Sequence, residues 1–382
     1  MSSVLEQSET KELLRPIETH LLRQTGGVGV NWFGRAATAL FRAYQIAKRL
    51  RTGDQELEVI LPSISCATPA NTALLAGVSP RFADVDPATG MLNLASIQQR
   101  WTPNTCAVVF IHLFGQTADL RRIGEWCREK KITLIEDVAQ ALGARSPDGA
   151  FVGSTGDLSV YSFNRTKILE CGGSALLIRC RELISVSQDV SHANPLPEEI
   201  SDAAAKVLGL SYRNLHHSLV ALLRERTLDE VSSAFLKLQP AYRRLYLRRM
   251  KNPALLLSDW ARLPEILHHR YINGQQYEQA LKNGPWKQIN PWRESGVCWR
   301  YSLLVDFPEK LVAFSDAVRH DGFHLSNLYW PVNEFFRPAD KCPNADWFAR
   351  RIVNLWVDET VDQKCVDRCS ASLLRNAERF AV

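Results

Sequence analysis

The chain has 382 residues, 46% of them hydrophobic and 23% charged, and a formal net charge of only +5. This is the balance of a globular protein with a substantial core, long enough for one large domain and one smaller one. It excludes a disordered chain, and so mild a positive excess gives no ground for nucleic-acid or membrane-surface binding. The opening MSSVLEQSETKELL is polar and charged, so no signal peptide is expected. No apolar run reaches the roughly 18 residues of a membrane span. The nine cysteines are scattered, and their odd number predicts reduced thiols and a cytoplasmic setting. Cys365 and Cys369 lie four apart, but no second pair accompanies them, so no metal site is expected.

In chain order, AATALFRAYQIAKRL (36–50) has apolar residues at helical spacing. LEVILP (57–62) predicts a strand stopped by proline, and TPANTALLAG (68–77) a helix with a glycine end. PRFADVD (80–86) and CAVVFIHLFG (106–115) read as strands, the second fully buried. TADLRRIGEWCREKK (117–131) reads as an amphipathic helix with a polar cap at its start. ITLIED (132–137), LSVYSF (158–163) and GSALLIR (173–179) follow as strands, with a small-residue helix expected behind Asp137. Residues 181–250 read as helices that finish the large domain, and the basic run YRRLYLRRM (242–250) as a solvated face, a subunit contact or a contact for an anionic ligand. The division is 1–250 and 251–382. The second part carries a strand at 297–307 and helices at 309–322 and 362–380.

Strands alternating with helices predict an α/β fold, with a mostly parallel central sheet covered on both faces. Ligands bind such sheets beyond the carboxyl ends of the strands. Residues 63–66, His112, Asp137 with Gln140, and 162–167 should share that rim. Gly34 and Arg35 precede a helix, whose first N–H groups and dipole suit a phosphate; taken alone, Gly34 reads as a structural turn. Asp137 ends an apolar strand, and a buried carboxylate needs a partner: a cationic ring nitrogen, a cap or a salt bridge. Lys167, in SFNRTKILECGG (162–173), is a surface cation or an amine that attacks a carbonyl as the neutral base. Ser162, at a strand end, suits a phosphate oxygen. A phosphate seat, a carboxylate and a lysine in this order are what pyridoxal phosphate requires.

The segments FGRAATAL, VILPSISCATPANTALLAGVSPRFADVD, VVFIHLFGQTADL, ITLIEDVAQALGA and GSTGDLSVYSFNRTK, with the GG that follows, cover about 30–178. On these the chain resembles the DegT-type sugar aminotransferases, pyridoxal 5'-phosphate enzymes of fold type I. The resemblance implies that Lys167 joins the cofactor aldehyde as an imine and shuttles the proton, and that Asp137 pairs with the pyridine nitrogen. It implies that Gln140 contacts the ring, and that Ser162 with the Gly34–Arg35 backbone holds the phosphate. It further implies a homodimer with shared sites that moves an amino group from glutamate to a keto-sugar, usually nucleotide-linked. Cys66 stands where the family stacks a bulkier side chain on the ring, and Trp32, Phe33 or His112 are the expected substitutes. His112, Tyr329, Trp330 and Arg337 are the expected substrate contacts. An enzyme of the same fold acting on a non-sugar substrate, or a non-catalytic regulatory homologue, stays open at this stage.

Overall fold

The computed structural model describes residues 9–51, 53, 55–224, 238–289, 292, 295–326, 329, 331–337 and 339–380. Seven strands form the main sheet: β1 (Gly29–Phe33), β2 (Glu58–Pro62), β3 (Ser79–Ala83), β4 (Thr105–Ile111), β5 (Thr133–Asp137), β6 (Leu158–Ser162) and β7 (Ser174–Ile178). Their order is β1-β7-β6-β5-β4-β2-β3. β3, β2, β4, β5 and β6 run parallel, whereas β7 is antiparallel to both β6 and β1. β4 and β5 are buried along their whole length, as continuous apolar runs require when helices cover both faces. The helix Ala36–Arg49 is one such cover, with Leu40, Phe41, Tyr44 and Ile46 sealed in the core.

A second, antiparallel sheet has the order β10-β11-β9-β8, from β8 (Trp286–Ile289), β9 (Tyr301–Val305), β10 (Leu325–Ser326) and β11 (Ile352–Leu355). The helices Leu311–His320 and Gln363–Phe380 pack Phe314, Val318, Val366 and Leu373 against it. The segment between β10 and β11 returns to the large sheet. Ile64 bridges Pro331, and the Val332 N–H donates to the Ser63 carbonyl at 2.6 Å. Buried Asp340 accepts the Phe82 N–H at 2.8 Å and sits among the guanidinium groups of Arg81, Arg100 and Arg337 at 3.6–3.7 Å. The segment 331–340 is thereby pinned beside β3, and Tyr329 is brought over the parallel strands.

Several local expectations are corrected. The strand expected over 106–115 ends at Ile111, because the chain turns at Leu113–Gly115 with Phe114 in the left-handed region (φ 59°). The helix expected over 117–131 starts at Arg121; the Thr117 hydroxyl bonds Ser295 Oγ at 2.8 Å and caps nothing. No helix follows Asp137. The Ala141 N–H donates to the Val138 carbonyl and the Ala144 N–H to the Ala141 carbonyl, so residues 138–144 form successive turns. β1, read only as the approach to a helix, is an edge strand of the main sheet.

Candidate active site

A cavity of about 250 Å³ opens beyond the carboxyl ends of β2, β4, β5 and β6. Arg35, Cys66, Asp137, Gln140, Ser162, Lys167 and Tyr329 all line it, so seven of the expected site residues converge on one space. Gly34 and His112 are not among the lining residues. The Gly34 N–H is already given to the Arg248 carbonyl at 2.8 Å, and Gly34 faces a neighbouring cleft. A Cβ there would lie 2.1 Å from the Arg249 carbonyl oxygen, so glycine serves a close chain crossing and not a ligand. His112 is wholly buried outside the cavity lining, with Nε2 2.9 Å from Glu136 Oε1. It can neither touch a substrate nor cover a ring, and Trp32 and Phe33, on β1, are also absent from the lining. Trp330 lies outside the described residues. Arg337 pairs with Asp340 and also lies away from the cavity.

Asp137 is the last residue of β5 and is 6% exposed. Its Oδ1 accepts the Ala139 N–H at 2.9 Å, the turn that replaces the expected helix. Burial pushes the carboxyl up, while the Ala139 bond and the Lys167 and His112 charges pull it down without cancelling the burial. Among the described residues no ion pair compensates that burial, and the carboxylate faces a cavity that can supply a cation. The neighbouring Glu136 is satisfied differently. Burial would raise it too, but His112 and the Gly153 and Gly156 N–H groups outweigh that and hold it below the ordinary range. Glu136 therefore fixes the 153–156 turn and the His112 ring, and leaves Asp137 as the carboxylate that faces the ligand space.

Ser162 closes β6 with its Oγ buried and without a hydrogen-bond partner. An orphaned buried hydroxyl is costly unless something fills it. Across from it starts the helix Ala36–Arg49, which is long enough for a dipole. Asn164 ties the two together: its Oδ1 accepts the Ala36 N–H at 3.3 Å and its amide donates to the Gly34 and Gly173 carbonyls at 3.2 Å. The Ser162 hydroxyl and the helix start form one end of the cavity, with donors for an anion. Ser162→Ala is expected to weaken cofactor binding about 5- to 15-fold, roughly 1–1.5 kcal/mol, while the apoprotein keeps or gains thermal stability. Fluorescence titration of apoprotein and a melting curve check both.

Lys167 is half-buried between a strand end and a glycine corner. Thr166, just before it, has φ 73°, an unusual conformation for a β-branched residue. Such backbone persists only where the surroundings over-determine it. Here the Trp299 indole N–H donates to the Thr166 carbonyl at 2.8 Å, and Arg270 Nη2 donates to the Lys167 carbonyl at 3.3 Å. The Lys167 Nζ lies 6.0 Å from the Trp299 ring centre. Trp299, Arg270 and Tyr246 had no signal in the sequence as site residues, whereas Asn164 fell within the 162–167 stretch expected on the rim. Asn164 alone was within reach of inspection, as a capping-type side chain two residues after Ser162.

The sequence profile of the "DegT/DnrJ/EryC1/StrS aminotransferase family" matches residues 25–187. A dTDP-4-dehydro-2,3,6-trideoxy-D-glucose 4-aminotransferase of Saccharopolyspora spinosa is 28% identical over 341 residues, 87% of this chain and 80% of that one. A GDP-perosamine synthase of Caulobacter vibrioides is 36% identical over 140 residues, 37% of this chain and 36% of the other. Among solved structures, the aminotransferase TlmJ from Streptoalloteichus hindustanus superposes with a TM-score of 0.74 at 22% identity, over 97% of this chain and 92% of that one. The two share an α/β architecture, as expected from the sequence.

Proposed function

Because the chain belongs to the DegT/DnrJ/EryC1/StrS aminotransferase family, we propose that it carries an amino group from glutamate to a nucleotide-linked keto-sugar, with pyridoxal 5'-phosphate as cofactor. The observation that carries this reading is the convergence of Asp137, the unfilled Ser162 hydroxyl and Lys167 on one cavity. The donor set fits the cofactor end to end. Ser162 and the dipole at the start of the helix Ala36–Arg49 would hold its phosphate. Asp137 would pair with its ring nitrogen, and Gln140 would stand beside the ring.

The cofactor, when bound, supplies an aldehyde that takes up amino groups and a ring that accepts electrons from the substrate carbon. This chain's residues do the rest. Lys167 supplies the amine for the aldehyde, and its Nζ takes and returns the proton at the amino-bearing carbon. Burial disfavours the Asp137 charge and a cation offsets that, so the carboxylate would keep the ring nitrogen protonated. Trp299, Tyr246 and Tyr329 wall the cavity and exclude water. The Tyr329 hydroxyl is pushed up by burial, so it remains a neutral donor within reach of the Gln140 side chain.

The sugar reading draws on the dTDP- and GDP-linked chemistry named for the two curated relatives. Residues 1–250 serve as the cofactor-binding domain and 251–382 as the small domain of a cytoplasmic homodimer. The test is a coupled assay with L-glutamate and a panel of dTDP- and GDP-linked 4-keto-6-deoxyhexoses. We expect 2-oxoglutarate and an amino-sugar of matching mass in equal amounts. Release of 2-oxoglutarate with small ketones but with none of the sugars would replace the sugar by a non-sugar acceptor.

A further inference from the structure

A second cavity, of about 400 Å³, lies against β1, the edge strand of the main sheet. It shares no lining residue with the cavity that holds Lys167. Three side chains in its wall have donors enclosed without an acceptor: Trp32 through its indole Nε1, and Arg42 and Arg249 through Nε. They come from separate elements: β1, the helix Ala36–Arg49 and the chain that follows the helix Gln239–Tyr246. Among the described residues no carboxylate lines the cavity or pairs with either guanidinium. Arg42 is 3% exposed. One edge of its fork is used, since Nη1 donates to Gln45 Oε1 at 2.8 Å and to the Asn194 carbonyl at 2.7 Å, at the end of the helix Arg181–Ala193. The Nε edge is left over.

A guanidinium taken out of water without an anion is expensive. Burial pushes Arg42 down to about 10, and Arg243 adds repulsion. Orphaned donors from three elements around one space call for an acceptor. Lys11, at the exposed rim, adds charge of the same sign. Two buried or half-buried cations match the charge of a phosphate monoester, about −1.5 to −2, better than the single charge of a carboxylate. The rest of the wall is apolar, with Pro195, Leu196 and Met250 beside the flat face of Trp32, so it suits a ring attached to that phosphate. Arg249 belongs to the run YRRLYLRRM, for which the sequence leaves an anionic ligand open.

We propose that this cavity is a second ligand site and takes an organic phosphate monoester. Arg42, Arg249 and the Trp32 indole N–H hold the phosphate, and an apolar or aromatic body lies against Trp32, Leu196 and Met250. The site stands apart from the aminotransferase reading, since neither the cofactor nor a substrate of that reaction is needed to fill it. The protein is loaded with pyridoxal 5'-phosphate, so that the Ser162 end is filled, and dialysed free of excess cofactor. Isothermal titration calorimetry compares phenyl phosphate, inorganic phosphate and benzoate on wild type, Arg249→Gln, Trp32→Phe and Arg42→Lys. If the protein takes up no cofactor, the aminotransferase reading fails and the titration still tests the second site.

Phenyl phosphate should bind once per chain. Inorganic phosphate, without a ring, and benzoate, with a single charge, should each bind about 10-fold more weakly. Arg249→Gln should weaken phenyl phosphate about 10- to 100-fold and Trp32→Phe about 3- to 10-fold, because the first loses a charged donor and the second a neutral one. Arg42→Lys, which keeps the charge without the fork, should cost about 10-fold. Should Arg42→Lys fail to fold for want of the Asn194 contact, the other two variants carry the comparison. A wild type that binds neither phosphate overturns the proposal. That includes the case in which Arg249→Gln instead dissociates the protein in sedimentation, where a carboxylate of a second copy would be the occupant. Wild-type affinity for phenyl phosphate in both Arg249→Gln and Trp32→Phe overturns it too, because the ligand then sits elsewhere. Benzoate bound as tightly as phenyl phosphate overturns the choice of a phosphate.

Discussion

Lys167→Ala should abolish amino transfer, with turnover falling by about 10⁴-fold or more, because the variant lacks both the amine for the cofactor aldehyde and the group that moves the proton. Positioned proton transfer alone is worth about 10²–10⁴-fold. The loss should fall on turnover, and the cofactor should still bind, since the Ser162 end and Asp137 are untouched. The two measurements are steady-state release of 2-oxoglutarate and the visible spectrum of the loaded protein. The variant should lose the yellow colour that wild type shows, while equilibrium dialysis still finds cofactor retained. Retention of the wild-type spectrum would show that the amine at 167 does not reach the aldehyde. The fold should survive, as Lys167 is half-buried and its backbone contacts, not its side chain, are used by Arg270.

Asp137→Asn should cost about 10²- to 10³-fold in turnover but no more than about 10-fold in cofactor affinity. The phosphate contacts remain, while the charge that keeps the ring nitrogen protonated is gone. A second consequence has the opposite sign. The folded Asp137 carboxyl lies above its unfolded value because burial penalises the charge. Such a group contributes stability below its unfolded pKa and loses it as pH rises through the raised folded value. Cofactor-free Asp137→Asn should therefore melt higher than cofactor-free wild type at neutral pH, and the difference should shrink as pH falls toward the unfolded carboxyl value of about 4. Loading the cofactor should reverse the order, since only the carboxylate gains a cationic partner. Melting curves with and without cofactor at pH 4.5 and pH 7.5 decide it. Equal melting temperatures in all four conditions would mean that Asp137 feels neither its burial nor the ring.

The parallel core was legible because β4 and β5 are unbroken apolar runs, and only a sheet covered on both faces buries every side chain of a strand. Asp137, Ser162 and Lys167 were legible because strand ends place side chains on one rim. Gly34 was misread because the partner of its N–H, Arg248, is more than 200 residues away in sequence. His112 was misread for a related reason. A histidine at a strand end looks available until the adjacent strand puts Glu136 on its Nε2. The segment after Asp137 has helix-forming composition, but the carboxylate captures the Ala139 N–H and starts a turn instead. The roles of Trp299 and Arg270 are non-local: nothing within a few residues of either says that they hold positions 166 and 167.

The left-handed Thr166 has a bearing on modularity. The family pattern stops at residue 187, which invites the idea that the first half is a self-sufficient catalytic module. Yet the carbonyls on either side of Lys167, those of Thr166 and of Lys167 itself, are gripped by residues 299 and 270. A fragment cut after the large sheet would release that stretch to relax toward an ordinary conformation, and the amine would drift from its post. Chimaeras that join this first half to the second half of a relative should keep their reach only when the graft supplies an indole and a guanidinium at these two places.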